Sequence, residues 1–557
     1  MKRLLPVLLL ALGAAACDRN PTGATENLQV GDMLSLNVNG VDVCDKPTSR
    51  QARVVAVSER AAVLADLQNP SNGFTEAEYQ EFADEFDRVV WPTVTENFGT
   101  PGDIDRNRRV LILFTSAVNQ LTPAGADYIV GGFFFSRDLF PVKDKEGIDG
   151  CESSNERELF YMLAPDPSGT INGNARSKAY VRRSTFGTVA HEFQHLVNAS
   201  RRLYENDAPD FEETWLDEGL AHIAEELSFY RSSGLGPRQN IALTSAFFPT
   251  QSRVDIFDQY MLANFGRLGE YYEEPENQSP IQDDDDLATR GSAWQFLRYA
   301  ADQKGGNETQ IWKSLANSRL SGIANLTDVL GTDPLPILQN WGVAAYTDDA
   351  VPGVSAIHTL PSWNHRQVLS NEVFGGGFRM RTFNLANLAP TTLSVVAGSQ
   401  AYLRFRVLPG ARADVRTSTP GTTVSGACTQ VTLNVGQVHQ GTAATAAALC
   451  FDGGAQGGEY TLIPFHGSTS STARTQLTVT ATGVAPVLGP PNPSLSPAGP
   501  TLQRALALGS RTDGGWESRL RDRERQALRS RINRGAAPRA TMDPAAPEVR
   551  ISVVRTK

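Results

Sequence analysis

The residues that could do chemistry are concentrated in TVAHEFQHLVN, residues 188–198, where two histidines stand four positions apart. On a helix, His191 and His195 would lie on one face, so both imidazoles could reach a single tetrahedral zinc ion. Glu192 would stand beside them, where it could contact a metal-bound water. The pattern therefore predicts metal-assisted hydrolysis. The alternatives are a helix that merely carries exposed polar side chains and an inactive relative.

A catalytic zinc usually takes three protein ligands, so a third ligand must come from elsewhere in the chain. The stretch EETWLDEGLAHIAEEL, residues 212–227, predicts a second amphipathic helix that is rich in carboxylates. Glu218 lies on or beside its apolar side, and Gly219 would let this helix approach the first one closely beside the metal. That apolar side is defined by Trp215, Leu216, Leu220, Ile223 and Leu227.

Several other carboxylates follow His195 within reach of a returning chain. They are Glu205, Asp207, Glu212, Glu213, Asp217, Glu225 and Glu226. Glu213 and Glu226 are expected to point more towards water. His222 and Glu225 follow Glu218 on one helix face, so they could orient a metal ligand from outside, with simple surface exposure as the alternative.

The second helix also carries a recognisable motif, because WLDEGLA, residues 215–221, is similar to the W-L-x-E-G-x-A signature of gluzincin metallopeptidases. With AHEFQHLVN before it and FGTPGDIDRNRRVLILFT further upstream, the chain most resembles the hyicolysin family of secreted bacterial metallopeptidases, over about residues 30–350. The resemblance implies a zinc metalloendopeptidase in which His191, His195 and Glu218 bind one zinc ion and Glu192 is the general base. Gluzincins also place a Tyr or His near the developing oxyanion. Tyr260, Tyr271, Tyr272 and Tyr299 are candidates among which spacing does not choose.

The arrangement of apolar runs predicts an α+β protein of several domains. Buried strands alternate with a helix before residue 184, and helices are expected at 185–200, 214–230, 290–304 and 308–317. The resemblance to gluzincins implies that residues 31–350 form a zincin-like catalytic domain, in which a mixed sheet supports the helices that carry the ligands. Short strands between turn residues predict an all-β sandwich over 355–485. A Pro-rich linker, 486–500, and a basic, partly helical or disordered tail, 501–557, are expected to follow.

The first residues, MKRLLPVLLLALGAAAC, have the layout of an export signal that ends at Cys17. The small residues before Cys17 resemble a bacterial lipobox, which predicts a signal peptide over 1–17, a lipidated Cys17 and a flexible tether over 18–30. The protein would then be anchored in the bacterial cell envelope by lipid. Cleavage at an Ala-x-Ala site, which would give a soluble secreted protein, is the alternative.

Four cysteines remain if Cys17 carries lipid, as an early pair and a late pair. We expect disulfides between Cys44 and Cys151 and between Cys428 and Cys450, because each pair lies within one predicted domain and export leads to an oxidising compartment. Four unpaired, buried thiols are the alternative.

Two acidic segments could suggest calcium in addition to zinc. Asp103, Asp105 and Asn107 are spaced two apart, as at the start of a calcium loop, but Arg108 stands where such a loop favours glycine and no glutamate follows at the twelfth position. A polar turn is therefore the preferred interpretation. The run from Asp283 to Asp286 is expected to be a solvated loop, with calcium as the less favoured alternative.

The formal charge of −10 disfavours nucleic acid as a partner, because binding to phosphates needs a basic surface. The sequence thus predicts an exported, lipid-anchored zinc metalloendopeptidase that acts on peptides or proteins. Two alternatives are a non-catalytic envelope lipoprotein that binds ligands through its β-sandwich, and a zinc hydrolase of a non-peptide amide. The sequence does not predict an oligomeric state.

Overall fold

The computed structural model describes residues 27–126, 128–145, 147–282, 284–422, 424, 426–441, 446–470, 473–488, 527–532 and 548–557. The predicted signal peptide, with Cys17, lies outside these residues. Most of the predicted linker and tail also lie outside them.

A six-stranded mixed sheet forms the base of the first part of the chain. Its strands are β1 (Met33–Asn37), β2 (Ser49–Val57), β3 (Ala61–Asp66), β4 (Val110–Thr115), β5 (Gly132–Phe134) and β6 (Leu159–Leu163). They lie side by side in the order β1-β2-β3-β4-β6-β5, with β3, β4 and β6 parallel and β5 antiparallel at one edge. Every residue of β4 and β6 is buried, as expected for parallel strands with both faces covered.

Three helices accompany this sheet: α1 (Glu76–Glu85), α2 (Trp91–Phe98) and α3 (Ser116–Gln120). A capping box starts α1, because the Thr75 side chain accepts a hydrogen bond from the Glu78 N–H and the Glu78 carboxylate accepts one from the Thr75 N–H. A π-helical turn, Phe86–Val90, joins α1 to α2. Its Phe86 ring packs against Phe193, which lies in the HExxH motif formed by residues 191–195. This contact connects the layer to the helix that carries His191 and His195.

Two long helices carry the predicted metal ligands, α4 (Lys178–Ser200) and α5 (Thr214–Ser233). α4 starts earlier than the expected residue 185, because Ser177 caps it by accepting a hydrogen bond from the Tyr180 N–H. From Phe186 to Ser200 almost every side chain of α4 is buried, so this half of the helix crosses the core. α5 ends at Gly234, whose φ of 71° lies in the left-handed region that glycine adopts freely.

Seven further helices complete this part: α6 (Gln251–Tyr260), α7 (Leu262–Glu273), α8 (Leu287–Lys304), α9 (Glu308–Ala316), α10 (Gly322–Leu330), α11 (Pro334–Thr347) and α12 (His365–Leu369). The helical core continues beyond the expected boundary at residues 350–355, since Leu360, Trp363 and Leu369 pack in it. The sequence predicts that these residues belong to the sandwich, but their buried aromatic and leucine side chains belong to the helical core.

The sandwich consists of β7 (Phe383–Asn384), β8 (Thr391–Val396), β9 (Leu403–Val407), β10 (Arg412–Ser418), β11 (Thr429–Val431), β12 (Val438–Gln440), β13 (Ala446–Asp452), β14 (Gly458–Gly467), β15 (Arg474–Thr482) and β16 (Glu548–Arg555). Its two five-stranded sheets have the orders β11-β13-β10-β15-β8 and β12-β16-β14-β9-β7. The mixed α+β prediction is thus confirmed at this level.

Strand β16 differs from the predicted helical or disordered tail. It lies between β12 and β14, and Val549, Ile551 and Val553 are buried in the sandwich core. The alternation of these residues with others is a strand pattern. The basic composition of the preceding tail obscured it in the sequence.

The structure joins the cysteines as Cys44 to Cys151 and Cys428 to Cys450, with Cα–Cα distances of 4.9 Å and 5.5 Å. The first bridge ties the segment after β1 to the segment before β6, and the second lies within the sandwich. Among the described residues, no helix combines the length and the apolar character needed to cross a membrane.

Candidate metal centre

The HExxH segment lies in the buried half of α4, which packs against α5 on one side and near the edge strand β5 on another. His191 and His195 are both buried, with their ring centroids 4.7 Å apart. This proximity follows from helical geometry, since residues four apart stand one above the other.

Glu218 of α5 faces both imidazoles. Its Oε2 atom lies 3.1 Å from His191 Nε2, and its Oε1 atom lies 3.5 Å from His195 Nε2. One ligand atom from each of these three residues lies within 4.8 Å of the others. Two imidazole nitrogens and one carboxylate are the donor set of many catalytic zinc sites, so these residues fit a zinc ion.

The two histidines also have carboxylate partners on their far sides. His191 Nδ1 lies 2.7 Å from Glu225 Oε1, and His195 Nδ1 lies 2.9 Å from Asp217 Oδ2. A proton on each Nδ1 would bond to these carboxylates and leave the Nε2 lone pairs directed at the centre, as in most histidine metal sites.

The electrostatics of the centre favour a cation. Burial lowers the pKa of His191, but hydrogen bonds to Glu218 and Glu225 and the charges of Glu218 and Glu192 outweigh burial and raise it to about 10. Burial would raise the pKa of Glu225, yet His222 and His191 hold it at about 2. The buried carboxylates thus create a negative potential at His191 Nε2, where a metal ion would compete with the proton.

His222 completes a chain of contacts that leads away from the centre. Its Nδ1 atom lies 2.9 Å from Glu225 Oε1, and its ring centroid lies 4.6 Å from that of His191. Glu225 therefore touches a predicted ligand directly, whereas His222 acts on Glu225. Both residues are buried rather than exposed on the surface.

Two contacts of the centre were missed by sequence reasoning. Asn198 Nδ2 donates to Asp217 Oδ1 at 2.6 Å, which holds the carboxylate that faces His195. The position of Asp217 directly before Glu218 is the sequence feature that could have predicted its contact with His195. Arg290 of α8 lies 3.1 Å from Glu218 Oε2. No local sequence pattern predicts the contact between Arg290 and Glu218.

Asp285 supports Arg290 from the acidic run that was expected to be solvated. It is buried and lies 2.6 Å from Arg290 Nε. Asp286 caps α8 by accepting a hydrogen bond from the Ala288 N–H at 3.2 Å. The solvated-loop prediction is therefore wrong for Asp285, because an ion pair to a buried arginine compensates for its burial.

The Glu192 side chain points towards the edge strand β5. It does not lie behind the predicted histidine ligands, as Glu225 and Asp217 do. The Phe134 N–H of β5 donates to Glu192 Oε2 at 2.7 Å. Gly132 of β5 has no side chain, which lets β5 pack closely against α4. A Cβ at Gly132 would lie 2.8 Å from the Tyr161 carbonyl oxygen and 3.0 Å from Thr188 Cγ2 of α4. The edge of the sheet and the general-base candidate are thereby held together.

Several residues considered in the sequence analysis have other partners in the structure. The hydroxyls of Tyr260, Tyr271, Tyr272 and Tyr299 are hydrogen-bonded to Glu85, Gln400, Gln295 and Ile357 respectively. Glu226 was expected to point towards water, but it is buried and accepts a hydrogen bond from Trp363 Nε1 at 2.6 Å. Gly219 faces α8, where an added Cβ would meet Leu297 Cδ1 at 2.7 Å, rather than α4.

Comparison with known proteins agrees with this centre at a general level. No protein-family model matches the chain. A stretch of 250 residues, 44% of this chain, is 29% identical to the neutral metalloprotease ShpI of Staphylococcus hyicus. The chain resembles a metalloprotease. It spans about half the length of this curated relative, 52%, so the similarity supports the prediction of a metal-dependent protease without extending to the whole of either protein.

Proposed function

We propose that the chain is an exported zinc metalloendopeptidase whose zinc ion is bound by His191, His195 and Glu218. The observation that carries the proposal is the convergence of two buried Nε2 atoms and one buried carboxylate within 4.8 Å of one another. Similarity to a neutral metalloprotease supports the metalloprotease part of this proposal.

When bound, zinc would polarise the scissile carbonyl and acidify water beside it. Glu192 would take the proton from that water and later deliver it to the leaving amine. The Phe134 N–H donates to Glu192 Oε2 at 2.7 Å, so Glu192 Oε1 would be the oxygen that takes the proton. Glu225 and Asp217 would keep the two imidazoles in the orientation that metal binding needs.

The edge strand β5 favours a peptide over a non-peptide amide as substrate. It pairs with β6 on one side, and no described strand pairs with its other side. The Phe134 N–H donates to Glu192 rather than to β6. The unpaired side of β5 therefore faces Glu192, the proposed general base. An extended peptide could add to such an edge through main-chain hydrogen bonds, which would bring its scissile bond to Glu192.

Export and a lipid anchor belong to the same proposal. Their motivation is the signal-like start that ends at Cys17, and two disulfides agree with an oxidising compartment. Mass spectrometry of the mature protein should find a diacylated or triacylated Cys17. An unmodified N-terminus would instead indicate soluble secretion.

The activity is tested with the purified full chain, a mixed peptide library and metal analysis. We expect one zinc per chain, hydrolysis within peptides, loss of activity with a chelator and recovery on addition of zinc. Glu192→Gln should retain zinc and lose activity by about a hundredfold or more. Glu205→Gln, which changes an exposed carboxylate near the same helix, is the matched control and should retain both.

Three results would contradict the proposal. Unchanged turnover in Glu192→Gln would exclude this residue as the general base. Zinc content with hydrolysis of simple amides but not of peptides would indicate a non-peptide amidase. Zinc content without any turnover would favour a binding lipoprotein that acts through its sandwich.

A further inference from the structure

A second cluster of oxygen ligands lies at the start of two neighbouring strands. Asp103 and Asp105 lie in the loop between α2 and β4, and Glu158 directly precedes β6. Because β4 and β6 are parallel and adjacent, their leading residues meet, and the Leu111 N–H donates to the Glu158 carbonyl oxygen at 2.7 Å. One carboxylate oxygen from each of Asp103, Asp105 and Glu158 lies within 4.8 Å of the others.

Glu158 supplies independent evidence for a ligand. The residue is 2% exposed; its Oε1 atom accepts the Ile104 N–H at 2.9 Å, whereas its Oε2 atom accepts no hydrogen bond from the described residues. A buried carboxylate oxygen without a donor is costly, and two nearby carboxylates increase that cost. Burial, together with the charges of Asp105 and Asp103, raises the pKa of Glu158 to about 8.

Asp105 has partial compensation only. Arg157 NH1 lies 2.8 Å from Asp105 Oδ2, yet burial still raises the pKa of Asp105 to about 6. Arg157 thus offsets the charge of one of three carboxylates that lie within 4.8 Å of one another. A divalent cation bound among the three carboxylates would compensate for their negative charge, which burial makes unfavourable.

One backbone feature of the loop matches a calcium loop. Arg106 and Arg108 have φ values of 60° and 62°, so Arg108 adopts the left-handed conformation for which such loops favour glycine. The Arg108 N–H donates to Asp103 Oδ1, and the Asn107 N–H donates to Asp105 Oδ1, both at 3.1 Å. Asn107 Nδ2 and Arg157 NH1 also donate to Asp105 Oδ2, at 2.6 Å and 2.8 Å, so these bonds together fix the orientation of the Asp103 and Asp105 carboxylates beside Glu158.

The two sequence arguments against calcium therefore have structural answers. Arginine occupies the left-handed position without glycine, and Glu158, directly before β6, lies where it could supply the carboxylate missing from the twelfth loop position. Carboxylates of Asp103, Asp105 and Glu158 form an all-oxygen donor set, which suits a hard cation and differs from the nitrogen-containing set of the zinc centre.

We propose that Asp103, Asp105 and Glu158 bind one calcium ion, distinct from the zinc ion, which fixes the loop before β4. This loop contacts the end of the HExxH helix: the Gly102 N–H donates to Ser200 Oγ at 2.8 Å, and Arg201 NH1 donates to the Thr100 carbonyl oxygen at 2.6 Å. Bound calcium would thus stabilise the segment on which the last turn of α4 rests.

The test is the thermal unfolding of the zinc-loaded full chain at pH 7.5 during a calcium titration, with calorimetry to measure stoichiometry. We expect one calcium per chain and a saturable rise in unfolding temperature of about 2 °C or more. Glu158→Gln should lose this rise, yet unfold no earlier than the wild type without calcium, because a neutral glutamine replaces a carboxyl whose raised pKa, about 8, keeps it mainly protonated at this pH. Glu152→Gln, an exposed position shortly before Glu158, is the matched control and should keep the rise.

Should Glu158→Gln fail to fold, Asp103→Asn gives the same test at an exposed position. Absence of a rise with millimolar calcium would overturn the proposal, as would a rise that persists in Glu158→Gln and Asp103→Asn. An equal rise with the same concentration of magnesium would also overturn it, because that would reflect general screening of carboxylates.

Discussion

Glu225 Oε1 lies 2.7 Å from His191 Nδ1 and forms a fixed contact behind one predicted zinc ligand. The same oxygen lies 2.9 Å from His222 Nδ1, so a single buried carboxylate holds two imidazoles. The ring of His191 therefore cannot rotate without breaking this contact, and its Nε2 atom stays directed at Glu218.

Removal of that carboxylate should weaken metal binding without abolishing it. We expect Glu225→Ala to lower zinc affinity by about 10- to 100-fold, which is the usual effect of losing a partner of a ligating histidine. Competition with a chelator of known affinity measures the change. Glu205→Ala, at an exposed carboxylate, should bind zinc as the wild type does. Equal affinities in the two variants would show that Glu225 does not orient His191.

Loss of Glu218 should have a larger effect, because it removes a proposed ligand. Glu218→Ala should retain little zinc at concentrations that saturate Glu225→Ala. Metal analysis after dialysis compares the two variants directly, and circular dichroism checks that each is folded. A fully loaded Glu218→Ala together with an empty Glu225→Ala would instead favour His191, His222 and Glu225, whose ligand atoms also cluster.

The sequence was sufficient for the parts of the centre that depend on short spacing. Helical geometry alone brings His191 and His195 together, and one motif on the next helix supplies Glu218. Contacts between distant segments carry no such signal. Arg290 lies on α8 and reaches Glu218 only through the packing of α5 against α8.

Burial of charged residues was hard to predict for the same reason. Glu226 is one residue from Glu225 and was expected in water, but Arg298 lies 3.4 Å from it and Trp363 donates to it at 2.6 Å. Both partners come from other segments, and they compensate for the lost hydration of the carboxylate. A helical wheel shows the side of a residue but not the elements that cover it.

Glycines mark where the helices approach most closely, and they should differ in their tolerance of a methyl group. A Cβ at Gly291 would lie 2.3 Å from the backbone nitrogen of Leu268, whereas a Cβ at Gly219 would meet the end of the flexible Leu297 side chain at 2.7 Å. We expect Gly291→Ala to destabilise the protein by about 2 kcal/mol or more, since α7 must move.

Gly219→Ala should cost less, because the gain in helix propensity, about 1 kcal/mol, offsets part of the repacking. Gly236→Ala is the control, since its Cβ would have only Gln239 Nε2 nearby, at 3.9 Å. Urea unfolding of the three variants gives the order. A Gly291→Ala protein as stable as Gly236→Ala would contradict the close α7–α8 contact.

The two disulfides should stabilise the protein unequally. Cys44–Cys151 spans a sequence separation of 107 residues and Cys428–Cys450 spans 22. In the chain-entropy model the longer loop is worth about 5 kcal/mol and the shorter about 3 kcal/mol. Replacement of each pair by alanines, followed by denaturant unfolding, should therefore affect the first pair more. Non-reducing peptide mapping that recovered a Cys151–Cys428 link would contradict both pairings.

Glu158 should make the stability of the calcium-free chain depend on pH. Its pKa is about 8 in the folded chain against an ordinary value of 4.5, so between these values the folded state keeps a proton that the unfolded state has released. The stabilisation is complete below about pH 4.5 and is lost as pH rises through about 8. Glu158→Gln should therefore flatten the fall in unfolding temperature between pH 5 and pH 8. Since protons compete with a metal for the same oxygens, the rise caused by calcium in the wild type should be larger at pH 8 than at pH 5. Parallel pH profiles for wild type and Glu158→Gln would refute the account, because other buried carboxylates such as Glu226 and Asp348 titrate alike in both proteins.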